Sequence, residues 1–307
     1  MKYYRIYGLK VKSQIKLDEL IEIKDDECNC KIDVEIKIEK IPDEIIEKIA
    51  RIKDKNRFCE YSESECWFYI CGVAAYRIYD GKYISIQPVS NCIDQKIKTF
   101  LLGGAFICLL LQRKFIGIHG SAVAVGDSSI VITGESGAGK STLLSEFVKK
   151  GYKFLADDLC AVEFSDNGEI NINSAYPQRK LCRDAAEWFN YSLDNLKWID
   201  EERDKFAVDS METFIYGTKK LKAIFEINVI KNEMNHVMIK EIKGIEKFKS
   251  VVDNLYESNI VKCLGIKGKI FENITKLSQE VPYYKIYRPY GIFTLAKQFQ
   301  LIKSIII

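Results

Sequence analysis

A chain of 307 residues is long enough for two ordinary domains or one large one, and with 47% hydrophobic residues it can bury a sizeable core. Its net charge of +3 is dispersed, with no block of like charges, which argues against a nucleic-acid surface. Ten cysteines without a CxxC pair, and only two histidines, argue against a zinc site. Most of these cysteines sit in apolar runs, as reduced thiols do in a cytoplasmic protein.

Taken in chain order, residues 1 to 93 read as a β-rich N-terminal domain. The opening "MKYYRIYGLKVK" alternates as a strand and is read as part of the fold rather than as a secretory leader. "KIDVEIKIEKI", "CWFYICGVAAYRIYD" and "KYISIQPV" follow as strands, the last two joined by a turn at "YDGKY". One amphipathic helix, "PDEIIEKIARIKDK", interrupts them. Cys28 and Cys30 have no neighbours able to complete a metal site. Trp67, Phe68 and Tyr69 read as core rather than as a peptide-binding face. Residues 94 to 307 read as a second domain, which starts with a buried helix over Asp94–Gln112. Neither "FLLGGAFICLLLQ" nor the closing "LIKSIII" is long enough to span a bilayer.

From Gly117 the pattern changes. "SAVAV" and "SIVITG" are strands separated only by "GDS", so they must be antiparallel, because a parallel crossover needs a dozen residues. "STLLSEFVKKGY" is a helix stopped at Gly151. "KFLADD" is the next strand, expected to end at its two aspartates. "LCAVEFSDNGEININ" reads as a hairpin turning at Asn167-Gly168. "LKAIFEINVI", "HVMIKEI" and "YYKIYRP" are strands; "GIEKFKSVVDNLYES" and "YGIFTLAKQFQLIKSIII" are helices.

Gly134-Glu135-Ser136-Gly137-Ala138-Gly139-Lys140-Ser141 fits a phosphate-binding loop, with Thr142 following. Its glycines let backbone N–H groups turn around phosphate oxygens, and the helix that follows aims its positive end at the same anion. Lys140 reaches the β- and γ-phosphates in such loops, and the Ser141 hydroxyl ligates Mg²⁺. The hairpin upstream places His119 beside the loop mouth, opposite Gly134 if the turn is Gly126-Asp127 and opposite Ser136 if it is Asp127-Ser128. Asp157 and Asp158 end an apolar strand near the loop, where two bare carboxylates would be costly to bury. Neighbours on an extended strand point to opposite faces. The pair therefore divides its work, one carboxylate holding metal and the other drawing a proton from an attacking hydroxyl, steered by His119.

"IHGSAVAVGDSSIVITGESGAGKS" and the following "VKKGYKFLADDL" resemble the catalytic domain of HPr kinase/phosphorylase. The resemblance implies an α/β P-loop kinase domain of the HPr kinase and phosphoenolpyruvate carboxykinase type, using ATP and Mg²⁺, and it implies oligomers. It assigns roles to His119, Lys140, Ser141, Asp157 and Asp158, with Asp157 as the general base and Ser141 and Asp158 as the metal side. Thr142 stands where those kinases carry an acidic residue, and their later glycine-rich signature is absent. Over more of the chain, "YYRIYGLKVKS", "AYPQRKLCRDAAEW", "ERDKFAV" and "YKIYRP" resemble HPr kinase-like enzymes that modify ribosomally made peptides, including lasso peptides. That resemblance implies a precursor peptide as acceptor, whereas the first implies the small protein HPr.

Arg179, Lys180 and Lys205 read first as solvated surface cations and second as groups neutralising a transferring phosphate. Arg288 contacts nucleotide or merely ends a strand. The leading reading is a kinase acting on a serine or threonine hydroxyl of a precursor peptide. The alternatives are HPr or a small-molecule serine as acceptor, and a nucleotide-hydrolysing transport or regulatory module. Against that module, no strand ends in a lone acidic residue followed by Glu.

Overall fold

The structure, a computed structural model, describes residues 1–23, 31–51, 57–89, 94–200, 204–231, 235–257 and 268–307. Cys28 and Cys30, and the expectation attached to them, lie outside these residues. The chain divides into two compact units, Met1–Phe115 with Asn259–Ile270, and Ile116–Ser258 with Phe271–Ile307.

The first unit carries β1 (Lys2–Ile6), β2 (Leu9–Ser13), β3 (Ile21–Glu22), β4 (Val34–Ile38), α1 (Asp43–Arg51), β5 (Arg57–Tyr61), β6 (Glu65–Ile70), β7 (Ala74–Tyr79) and β8 (Tyr83–Pro88). They form one sheet in the order β3-β1-β2-β4-β8-β7-β6-β5. Two stretches expected as single strands are hairpins. The first reverses at Tyr7-Gly8, where φ is 54° and 76°. Two successive left-handed residues make the tight turn that matches strand twist. The second reverses between β6 and β7, beside Gly72. Alternation of apolar residues runs through such turns, so periodicity alone cannot see the reversal.

The Asp94–Gln112 segment is helical, as expected: α2 (Asp94–Phe100) and α3 (Phe106–Gln112) flank a π-helical turn at Leu101–Ala105. It groups with the first unit, so the division falls after Phe115 rather than after residue 93. The reason is packing: Tyr76 donates its hydroxyl to the Ile97 carbonyl (3.0 Å), Phe106 meets Tyr7, and Cys108 meets Cys66.

The second unit is mixed α/β and sheet-rich. It carries β9 (Ile116–Val125), β10 (Ser128–Gly134), α4 (Lys140–Lys149), β11 (Phe154–Phe164), β12 (Ile170–Asn173), β13 (Gln178–Cys182), α5 (Arg183–Trp188), β14 (Lys197–Asp200), β15 (Lys205–Asp209), β16 (Thr218–Ile230), β17 (Met238–Ile242), α6 (Gly244–Asp253), α7 (Gly268–Glu280), β18 (Tyr283–Pro289) and α8 (Leu295–Ile306). The main sheet runs β10-β9-β11-β12-β16-β18-β17, and β10 also pairs in parallel with β16. Strands β10, β9, β11, β12 and β16 therefore close into a ring. A smaller sheet, β13-β15-β14, shares no strand pairing with it. That sheet and α7 were not anticipated from the sequence.

Val125 faces Ser128 across a Gly126-Asp127 turn, so the first of the two expected registers is the one adopted. β11 does not end at the aspartates. It runs on for six residues to Phe164, paired with β9 and then β12. The continuation "LCAVEF" is apolar enough to be buried, and its partner strands are remote or separated by a turn, which the local pattern does not reveal.

Candidate active site

Gly134 closes β10 at φ 138°, and a Cβ there would lie 2.6 Å from the Ile227 carbonyl oxygen of β16. Only glycine lets β10 run this close to β16 and still turn into the loop. Gly139, at φ 103°, is the N-cap of α4, and no side chain caps that helix. Its first N–H groups thus lack a side-chain cap, the arrangement in which an anion would satisfy them. The Lys140 ammonium is buried and donates to the carbonyls of Gly134 (2.8 Å) and Glu135 (3.0 Å). Glu135, Ser136 and Gly137 are exposed along the loop, Ala138 is buried, and Thr142 is half-buried on α4. Arg288, on β18, donates from Nε to the Ala138 carbonyl (3.1 Å). It thus braces the loop instead of merely ending its strand.

The two aspartates sit in the middle of β11, opposite Ser121 and Gly120 of β9. Asp158 adopts φ 89°, a left-handed conformation in a strand. Such an outlier in a non-glycine residue stores about 1–3 kcal/mol of strain. The expectation of strictly opposite faces therefore needs correcting. The kink brings both carboxylates to one residue, Lys180 of β13, whose amide N–H donates to Asp157 Oδ2 (2.8 Å) and whose ammonium donates to Asp158 Oδ2 (2.7 Å).

Asp157 is almost wholly buried and accepts two further bonds, from Ser121 Oγ (2.7 Å) and Ser141 Oγ (3.1 Å). Burial pushes its pKa up, against the pull of the Lys180 amide and the Ser121 hydroxyl. The resemblance sets Ser141 and Asp158 on the metal side; the direct bond of the Ser141 hydroxyl is to Asp157. The loop hydroxyl meets Asp157, because β11 presents its first aspartate to α4 and its second to His119 and Lys180.

Asp158 faces His119, whose Nδ1 lies 3.2 Å from the Asp158 carbonyl oxygen and 3.6 Å from its Oδ1. Burial pushes the Asp158 carboxyl up, but the charges of Lys180, His119 and Lys205 outweigh it and hold the group well below the usual carboxylate range. For Lys180, burial lowers the pKa and the neighbouring Asp158 more than restores it. His119 is lowered to about 4, by burial first and by the charge of Lys140 second, against the pull of Asp158. Its ring is therefore neutral near pH 7.

The four basic residues of lower rank separate clearly. Lys180 is the hinge of the site, not a surface cation. Lys205 of β15 acts on Asp158 and His119 through its charge. Arg179 is buried too, but turns away from the carboxylates. Its guanidinium donates to Ser210 Oγ (2.9 Å), Ser145 Oγ (2.9 Å) and Tyr191 Oη (2.6 Å). Since Ser145 belongs to α4, Arg179 ties the strand that carries Lys180 to the helix of the loop. Both residues are corrected from the surface reading because β13, with its polar alternation, packs between α4 and β11.

Three neighbours were missed. Ser121 is two residues from His119 on β9, and the β9–β11 register would have found it. Asn254 and Tyr256 come from the segment after α6. The Asn254 carbonyl accepts the His119 amide (2.9 Å), and the Tyr256 ring lies 5.8 Å from the imidazole. Nothing local in their sequence announces that contact.

Among the described residues no three His, Cys, Asp or Glu side chains converge as a metal cage. Ser141 and Asp157 offer two hard oxygen donors. That suits a cation that keeps waters and takes its other ligands from phosphate.

Residues 112–181 match the family model for the HPr Serine kinase C-terminal domain. The chain is 32% identical over 118 residues to the HPr kinase/phosphorylase of Bordetella avium, covering 36% of this chain and 38% of that protein. It is 41% identical over 63 residues to that of Caldanaerobacter subterraneus subsp. tengcongensis, covering 20% of each. With that of Azoarcus sp. it shares 34% over 116 residues, covering 37% of this chain and 32% of the relative. The matches thus span well under half the length of these curated relatives. The structure of the Hpr(Ser) kinase/phosphatase from Coxiella burnetii superposes with a TM-score of 0.33 at 13% identity, over 61% of this chain and 88% of that one. Family model and relatives together support an HPr kinase/phosphorylase-like family, on the segment that holds His119, the glycine-rich loop, both aspartates and Lys180.

Proposed function

We propose that the protein is a kinase that transfers the γ-phosphate of ATP to a serine or threonine hydroxyl. The observation that carries this reading is the division of the aspartate pair by Lys180, with Asp157 on the loop hydroxyl and Asp158 on the histidine. A module that only hydrolyses nucleotide needs no second carboxylate with its own histidine and lysine.

Ser141 and Asp157 would hold Mg²⁺, and the buried Asp157 charge, whose burial already pushes its pKa up, is the kind of group a cation relieves. Mg²⁺ bound with ATP supplies positive charge to the β- and γ-phosphate oxygens. Lys140 exchanges its two loop carbonyls for phosphate oxygens, and the N-terminus of α4 binds the same anion. Asp158 accepts the proton of the attacking hydroxyl. Its low pKa is no obstacle, because the proton leaves late in a loose transition state. Lys180 and Lys205 keep Asp158 ionised and offset charge on the moving phosphoryl group. Neutral His119 orients the carboxylate without adding charge. The Ser141–Asp157 bond favours these roles over the reverse assignment implied by the resemblance.

Two acceptors remain in view. The names of the relatives favour HPr-type small proteins. Thr142 after the loop serine, and the likeness of "YYRIYGLKVKS", "AYPQRKLCRDAAEW" and "ERDKFAV" to peptide-modifying enzymes, favour a precursor peptide of the ribosomal, lasso-like kind. Incubation with ATP, Mg²⁺ and each acceptor, followed by mass spectrometry, tests the reading. We expect one phosphate on a hydroxyl of one of them; sustained ATP hydrolysis with neither acceptor labelled would return the transport or regulatory module to the front.

A further inference from the structure

β10 pairs with β9 as far as Thr133, opposite Gly120, and then turns off at Gly134 into the glycine-rich loop. Its departure leaves that side of β9 open at residues 117–119, and the segment after α6 fills the gap. The His119 amide donates to the Asn254 carbonyl (2.9 Å), the Tyr256 amide donates to the Gly117 carbonyl (2.9 Å), and Ile118 lies opposite Leu255. The Thr133 hydroxyl stitches the junction, 2.7 Å from the His119 carbonyl oxygen and 2.9 Å from Asn254 Oδ1.

Alternation along this short antiparallel bridge decides where the side chains go. Ile118 and Leu255 share the buried face. His119 and Tyr256 share the other as diagonal neighbours, with ring centroids 5.8 Å apart. The phenol is close enough to Asp158 and Lys180 for both charges to act on it. Burial first and Asp158 second push its pKa up, so it keeps its proton: it can donate a hydrogen bond but cannot serve as a base. Tyr256 is half-buried, and among the described residues its hydroxyl has no hydrogen-bond partner. A donor in such a place is costly to leave unpaired and is satisfied by whatever binds beside it.

The side of the site on which it stands indicates what binds. In the proposed mechanism the phosphates and metal lie by Ser141 and Asp157, and the acceptor's proton goes to Asp158. Tyr256 stands with Asp158, His119 and Lys180, on the acceptor's side. A peptide or protein acceptor presents main-chain carbonyls on either side of its reacting hydroxyl, and a neutral O–H suits them.

We propose that Tyr256 binds the acceptor: its phenol donates a hydrogen bond to a main-chain carbonyl next to the reacting serine or threonine and so aims the hydroxyl at Asp158. The proposal rests on the reading of the protein as a kinase.

Tyr256→Phe removes the hydroxyl and keeps the ring against His119. The test is steady-state transfer from Mg-ATP to whichever of HPr and a precursor peptide the wild-type protein labels. KM for the acceptor should rise about threefold to tenfold, with KM for ATP and kcat within about twofold of wild type. Tm should not fall, because the hydroxyl removed has no partner in the protein. If wild-type protein transfers phosphate and the variant has an unchanged acceptor KM, the role of Tyr256 is wrong and the kinase reading stands. A raised KM for ATP, or a loss confined to kcat, also overturns it, by moving the bond to the nucleotide or to the phosphoryl group in flight. A Tm lowered by several degrees would make the phenol structural. If wild-type protein labels neither acceptor, the kinase reading falls and this proposal with it.

Discussion

Replacing Lys180 by methionine removes the ammonium while leaving the backbone amide that holds Asp157. The lost contact is short, 2.7 Å, between side chains each only about one-fifth exposed. Removing one partner from a well-buried pair costs about 3–5 kcal/mol. With partial access to water, we expect about 2–3 kcal/mol less stability at pH 7. The pH dependence fixes the cause. Asp158 has its folded pKa depressed, so its stabilisation is present above the unfolded value of about 3.9 and is lost as pH falls through the lower folded value. The gap between wild type and Lys180→Met in urea unfolding should therefore narrow as pH drops below about 4. From the lysine side the pair is lost only well above the unfolded value of about 10.4, outside this window. With a loop otherwise intact, kcat should fall about a hundredfold while KM for ATP stays near the wild-type value. A variant as stable as wild type at pH 7, or one that loses ATP binding and keeps kcat, would refute the assignment of Lys180 to Asp158 and to the transferring group.

Asp157→Asn should raise the Mg²⁺ concentration needed for half-maximal activity, whereas Asp158→Asn should lower kcat by at least about a hundredfold at unchanged Mg²⁺ dependence; the opposite pattern would restore the reverse assignment. The His119 ring should titrate by NMR near 4, and since it is neutral in the folded state and protonated in the unfolded one between about 4 and 6.5, it makes stability rise with pH there by up to about 1.4 kcal/mol per pH unit, a slope that His119→Gln removes. Gly134→Ala should destabilise by about 2–4 kcal/mol, because its Cβ has the Ile227 carbonyl oxygen 2.6 Å away and its φ of 138° suits glycine alone; a Tm within a degree of wild type would contradict the close strand packing.

How much was legible depended on the range of each interaction. The β9–β10 hairpin followed from a two-residue turn, which left two registers open, each setting His119 beside the loop; the structure adopts the one with the Gly126-Asp127 turn. The glycine-rich loop and its helix were legible for a like reason, since Gly134, Gly137 and Gly139 stand where the backbone takes positive φ. The hairpins at Tyr7-Gly8 and Gly72 were not, because alternation continues through a tight reversal. Lys180 and Arg179 were unreadable: adjacent basic residues on a polar strand carry no mark that one meets an aspartate pair and the other three hydroxyls.

By itself the sequence determined the chemical inventory: a glycine-rich loop closed by Lys140 and Ser141, a histidine one strand away and two adjacent carboxylates after the helix. Backbone sterics and turn geometry act within a few residues, so they are written locally. Only the tertiary structure decided which aspartate meets Ser141, because that depends on the left-handed kink at Asp158 and on β13, whose Lys180 arrives from 22 residues away. Charges and hydrogen bonds at a site are set by distance in space, and the closure of the β10–β16 ring and the docking of β13 fix those distances.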